Sequence, residues 1–236
     1  MKTALCLSGI VGGESGKNGL GNTINYVECN KYFKENIIEP NGCDVFIHSW
    51  STKYENDLLR LYKPKGYVFE EQKQFSTKGG NRFRFQSKWY SVSQSLLKMK
   101  EFGKYDWVIV SRFDILFLTA LNVDLFDSKY LYVSNYSAYP VESEQERWEI
   151  PPKNNSMSLF KKKIHDVYFI MSYENILKFV FSKPKKWYYN SSPNPHRAIY
   201  ARIMKVFDKG IGVVKYWGHR GYDWDLYRWR ICHSNK

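Results

Sequence analysis

The segment Trp107-Val-Ile-Val-Ser-Arg-Phe-Asp-Ile-Leu-Phe117 constrains the chain more than any other. It is an apolar, β-branched run that reads as a buried strand running into a charged turn. It carries Arg112 and Asp114 inside it, at i and i+2, which puts both on one face. Burying either charge without a partner costs several kcal/mol. The residues alone leave two readings open. One is an internal ion pair or a cap at the strand end. The other is a site, with Asp114 holding a divalent cation and Arg112 supporting it or meeting phosphate.

Around this strand, strand-like and helix-like patterns alternate. Strands are expected at Thr3–Ser8, Asp44–Trp50, Gly66–Glu70, Tyr130–Ser134 and Val167–Met171. Helices are expected over 23–36, 54–62, 86–102 and 198–207, and after Ser172 as an N-cap. In the helix over 86–102, Trp89, Val92, Leu96 and Met99 form one stripe. This alternation predicts a three-layer α/β/α domain with a mostly parallel central sheet, whose ligands bind at the carboxyl ends of its strands. Nothing like a linker divides residues 1–236, so a single domain is expected.

The chain has 236 residues and a net charge of +13, concentrated in residues 61–120 and 181–236. Such a balance points to anionic partners: nucleic acid, an anionic membrane or phosphorylated small molecules. Aromatics at 18% suit a core, and equally surfaces that stack on sugars or bases. Four cysteines without C-x-x-C spacing argue against a zinc knuckle or a disulfide framework. The opening residues lack the pattern of a signal peptide, and no run approaches a membrane span, so a soluble cytoplasmic protein is expected. Lys183, Lys185 and Lys186 beside Trp187, Tyr188 and Tyr189 raise peripheral contact with an anionic membrane. Gly12-Gly-Glu-Ser-Gly-Lys17 contains Gly-Lys but places Asn18 where a phosphate loop needs Ser or Thr.

Several segments, in order, resemble GT-A glycosyltransferases of the small bacterial and viral surface-glycan type. They are Leu7-Ser8-Gly9, Asp44-Val-Phe-Ile-His-Ser-Trp50, Lys88-Trp89-Tyr90-Ser91, Tyr105-Asp106 leading into Ser111-Arg112-Phe113-Asp114, and His165-Asp166 before Phe169-Ile170-Met171-Ser172. The resemblance implies a GT-A-like, Rossmann-like fold that moves a sugar from a nucleotide-diphosphate sugar, UDP preferred, to a glycan or other hydroxyl acceptor. It implies a donor-binding part over about 1–120 and an acceptor-binding part over about 121–236. Ser8, Gly9 and Ile10 would contact the nucleotide. Asp114 would hold Mn²⁺ or Mg²⁺ and the diphosphate, with His219 as a further metal ligand and Arg220 on the diphosphate. His165 and Asp166 would take the acceptor, Asp166 as general base. Such families carry Asp-x-Asp where this chain has Arg112-Phe113-Asp114. The departure suggests that Arg112 neutralises phosphate directly. In host cells of a virus the same protein would be cytoplasmic. A basic nucleic-acid-binding protein explains the charge but not the charges within the central strand, so no nucleic-acid partner is expected. A glycan-binding transferase fold without turnover is the third reading.

Overall fold

A computed structural model describes residues 1–12, 24–75, 82–135, 167–183, 188, 195–208, 214–219 and 224–226, the last two ranges as backbone. The strands are β1 (Thr3–Gly9), β2 (Asp44–Ser49), β3 (Gly66–Phe69), β4 (Trp107–Arg112), β5 (Ile115–Phe117), β6 (Leu131–Asn135), β7 (Phe169–Ser172), β8 (Val214–His219) and β9 (Trp224–Leu226). The helices are α1 (Tyr26–Phe33), α2 (Glu55–Tyr62), α3 (Arg82–Lys100), α4 (Tyr173–Phe181) and α5 (Pro195–Val206). A π turn, Lys34–Ile38, carries α1 on to a last helical turn at Glu39–Asn41.

Seven strands form one sheet in the order β3-β2-β1-β4-β7-β6-β8, and β5 pairs with β9 in a separate ribbon. β3, β2, β1 and β4 run parallel. β7 is antiparallel to both β4 and β6, and β8 runs parallel to β6. Six strands therefore point one way. This is the expected three-layer α/β architecture with a mostly parallel central sheet, with β7 as the reversed strand.

Apolar runs become strands here because both faces of the sheet are covered. Ala4, Cys6, Phe46, Val108 and Val110 pack under α3, α4 and α5. Leu5, Leu7, Val45, Ile47 and Ile109 pack with Phe33 and Ile37 of the first helical segment and Leu58 of α2. The α3 stripe buries Trp89, Val92, Leu96 and Met99, and the Trp89 ring lies 5.5 Å from Phe169 and 5.4 Å from Phe179. Truncating Trp89 to Ala would cost about 3–5 kcal/mol.

Three local outcomes differ from the sequence expectation. The run Trp107–Phe117 is not one strand: a turn at Phe113–Asp114 separates β4 from β5, and Asp114 folds back on Arg112. The first helix outruns Asn36, because the Asn36 and Asn41 amides bind carbonyls of the 117–121 segment. Ser172 does precede α4 in an extended conformation, but its side chain makes no cap bond. The Tyr173 N–H is met instead by the Asp106 carbonyl at 3.3 Å. At the other end of α4, buried Arg202 of α5 donates to the carbonyls of Phe179, Ser182 and Lys183. It is a cation on a helix carboxyl terminus, and burial pulls its pKa down to about 10.

Candidate functional site

In an open α/β sheet, ligands bind outside the carboxyl ends of the strands where the strand order reverses. From β1 the chain proceeds outward to β2 and β3, while β4 lies on the other side of β1. The reversal is therefore at β1/β4. Register pairs Ser8 with His48 on one side and with Arg112 on the other, so these three share one row across the carboxyl edge. β2, β6 and β8 end at the same edge, and β7 begins there.

The Arg112–Asp114 pair is a two-pronged fork. Arg112 Nε donates to Asp114 Oδ1 at 2.8 Å and Nη2 to Oδ2 at 2.5 Å. Asp114 is fully buried, and the Arg112 side chain keeps 17% of its surface. Such fork geometry fixes a guanidinium in direction as well as place. The two charges embedded in the sequence thus meet each other, and Asp114 presents both oxygens to a cation of its own chain. Among the described residues, no group of three or more His, Cys, Asp or Glu is arranged to hold a metal. One buried carboxylate already facing a guanidinium does not by itself fit Mn²⁺ or Mg²⁺, which need several oxygen ligands.

The loop leaving β1 is held by the end of β2. Gly9 turns with φ +116°, where a side chain would be strained. The Gly9 carbonyl accepts from Ser49 Oγ at 3.0 Å and from the Trp50 N–H at 3.2 Å. Ser51 Oγ accepts from the N–H groups of Val11 (3.0 Å) and Gly12 (3.4 Å) and donates to the Gly12 carbonyl (2.9 Å). The Ile24 N–H closes the far side on the Val11 carbonyl at 2.9 Å. Ser8 is buried, with its hydroxyl toward the Ser111 carbonyl at 3.5 Å, and Ile10 is half-buried. Ser49 and Ser51 carry no signal in sequence. Only the parallel pairing of β1 with β2 brings them to the loop.

Trp50 Nε1, Ser111 Oγ and Ser134 Oγ are buried near this edge with no hydrogen-bond partner among the described residues. A buried polar atom left in that state costs about 1–3 kcal/mol, so each calls for a partner beyond the described residues.

His48, near the carboxyl end of β2, is buried beneath α3. Nδ1 lies 2.7 Å from Ser91 Oγ and Nε2 3.0 Å from Glu70 Oε1. Burial lowers its pKa, and the Glu70 hydrogen bond and charge offset part of that. Burial alone would raise the Glu70 pKa, but hydrogen bonds from Lys73 and His48 overcome this and hold the carboxyl below its usual value. Lys73 reaches both Glu70 Oε2 and the Tyr90 hydroxyl, and the Tyr90 ring stacks on Trp50 with centroids 5.3 Å apart.

The remaining expected residues stand apart. His219 ends β8, three strands from β4, which is about 14 Å at ordinary strand spacing. His165, Asp166 and Arg220 lie outside the described residues, as do residues 13–23 and Lys185–Trp187. A cavity of about 650 Å³ sits at the opposite, amino edge, lined by Met1, Tyr105, Trp107, Phe126, Tyr173 and Glu174 among others. Its charged side chains are paired: Asp106 accepts from the Lys2 N–H at 2.7 Å, and Lys104 meets Glu174 at 2.6 Å.

No protein-family model matches this chain, and no curated protein does. Among solved structures, it is similar to a glycosyltransferase involved in the glycosylation of the major capsid of PBCV-1. That likeness covers 90% of this chain and 81% of the other, at 10% identity and a TM-score of 0.37. It is too loose to carry an activity from one protein to the other. No helix among the described residues is long and apolar enough to cross a membrane.

Proposed function

We propose that this protein is a glycosyltransferase that moves a sugar from a nucleotide-diphosphate sugar, UDP by preference, to a hydroxyl group of a glycan acceptor. One observation carries the reading: Ser8, from which the glycine loop leaves, and Arg112 are paired neighbours on adjacent strands at the β1/β4 reversal. That is where an open α/β sheet takes a nucleotide. In this reading Ser8, Gly9 and Ile10 meet the nucleoside and Arg112 meets the diphosphate. A fixed guanidinium stabilises charge as it develops on the leaving diphosphate, which lowers the barrier to transfer. Asp114 acts through Arg112 by fixing its direction. Asp166 is proposed as the base that takes the acceptor proton, with His165 beside it on the acceptor. His219 and Arg220 are proposed on the diphosphate side. Assistance from Mn²⁺ or Mg²⁺ is a separate proposal, with Asp114 as one ligand and the diphosphate oxygens as the rest of the shell; His219, three strands away, is not carried into it, and no step above runs through the ion.

A thermal-shift screen tests this. UDP, GDP, CMP and dTDP are added with and without Mn²⁺, beside an oligonucleotide. A ligand at 100 times its dissociation constant adds about 2.7 kcal/mol of stability. A shift with one nucleotide supports the reading, and its enhancement by Mn²⁺ supports the metal. A shift from the oligonucleotide alone overturns both.

A further inference from the structure

The two helical layers differ in charge. The segment Tyr26–Asn41 together with α2 holds three Lys or Arg against five Asp or Glu. Helices α3, α4 and α5 hold nine Lys or Arg against one Glu. Of those nine, Arg202 is buried between helices. Lys100, Lys178, Arg197 and Lys205 are exposed on the outer surface, with Lys104 just beyond α3 and with Glu101 and Asp208 as the exposed acids just past α3 and α5. The three helices form one layer. Lys104 bridges to Glu174 at the α3–α4 seam, Lys100 lies over the Phe181 ring, and Lys178 lies over the Phe207 ring. Apolar side chains stand out from the same layer: Leu97 of α3 keeps 42% of its surface exposed and Met204 of α5 keeps 49%.

A surface of ammonium and guanidinium heads with isolated apolar side chains among them fits an anionic lipid bilayer. The cations meet lipid phosphates and the apolar groups enter the headgroup boundary. A nucleic acid would use the cations and leave Leu97 and Met204 without a role. We propose that the outer surface of α3, α4 and α5 docks this protein on an anionic membrane. This goes beyond the transferase reading and does not depend on it, since no sugar nucleotide enters the test.

The experiment is co-sedimentation with vesicles of phosphatidylcholine, with and without phosphatidylglycerol, at low and high salt. The wild-type protein should sediment only with the anionic vesicles, and less at high salt. A triple variant, Lys100→Glu with Arg197→Glu and Lys205→Glu, should lose at least about 10²-fold in partitioning, since each basic residue removed near the surface is worth roughly five-fold. Its circular dichroism should match wild type, because all three side chains are exposed. A control on the other layer, Lys31→Glu with Lys34→Glu, should bind as wild type does. Leu97→Ser with Met204→Ser should remove the binding that survives high salt. Failure of the wild-type protein to sediment with anionic vesicles overturns the proposal, as does equal loss in both charge variants. Binding to a duplex oligonucleotide, but not to vesicles, that the triple variant abolishes would also overturn it and assign the surface to nucleic acid.

Discussion

The two edges of the central sheet are built from the same strands and differ in what their polar groups do. At the amino edge there is a cavity of about 650 Å³, yet Asp106, Lys2, Lys104 and Glu174 are engaged with each other. At the carboxyl edge, a fully buried carboxylate is forked onto Arg112, and a glycine turn is clamped by two serines. Three buried polar atoms near it lack a partner among the described residues, against one, Thr3 Oγ1, at the amino edge. The comparison teaches that hollowness and chemistry need not coincide. A site is marked by polar groups whose arrangement costs free energy that the fold alone does not return.

Arg112→Met strikes this comparison hardest. It leaves the Asp114 carboxylate fully buried without its guanidinium. Breaking a buried pair from one side costs about 3–5 kcal/mol, to be read as a lower urea midpoint with unchanged slope. Asp114→Asn is milder for folding, since the amide oxygen still accepts from Arg112. It should nevertheless reduce transfer by roughly 10²-fold if the directed guanidinium stabilises the leaving diphosphate. Near wild-type transfer by a folded Asp114→Asn protein would remove the carboxyl edge's claim to the chemistry. Asp166→Ala tests the acceptor side of the proposed transfer: donor binding should persist while transfer is abolished, and a loss of donor affinity would move Asp166 to the donor side.

Ser51→Ala comes next. It removes three hydrogen bonds to the Val11–Gly12 loop, at about 0.5–1.5 kcal/mol each. The expected signature is faster exchange of the Val11 and Gly12 amides with weaker nucleotide binding and little change in the rate of transfer at saturation. Unaltered loop exchange would show that the clamp is idle.

Much of the fold was legible because strand and helix periodicities are local. The stripe Trp89, Val92, Leu96, Met99 and the strands at Thr3 and Asp44 needed no knowledge of partners. The direction of β7 and the pairing of β5 with β9 were not legible, since strand partners are chosen by contacts far away in sequence. The site was legible only where charge contradicts its surroundings, as at Arg112 and Asp114. His48 shows the limit. A histidine at a strand end reads alike whether it faces a ligand or a helix, and what decides is Ser91, 43 residues on. Ser49, Ser111 and Ser134 lie in strands that the sequence does show, and Ser51 just past one, but nothing there says what each hydroxyl would meet.

The His48 assignment can be checked by pH. Its folded pKa is depressed, so below the unfolded value near 6.5 the unfolded chain binds more protons. Stability should therefore fall as pH drops below about 6.5, by no more than about 1.4 kcal/mol per pH unit from this one group. Glu70, also depressed, adds its own loss only as pH falls through the carboxylate range. Urea midpoints at neutral and mildly acidic pH should differ in the wild-type protein and differ less in His48→Gln. An equal difference in both would place the acid sensitivity elsewhere.

The smallest effect belongs to the amino edge, and its smallness is what the comparison requires. The Lys104–Glu174 pair is exposed on both sides, at 76% and 70% of side-chain surface, and such pairs are worth about 0–1 kcal/mol. Glu174→Gln should therefore leave the urea midpoint nearly unchanged. It should also leave nucleotide-induced thermal shifts and transfer rates as they are, although Glu174 lines the cavity. If Glu174→Gln instead weakened nucleotide binding as much as Ser51→Ala does, the cavity would be a ligand site. The partnered polar groups there would then be held in readiness rather than at rest, and the contrast between the edges would fail. A nucleotide response at Ser51 but not at Glu174 would tie ligand binding to the strand carboxyl ends, where the reversal of strand order puts it.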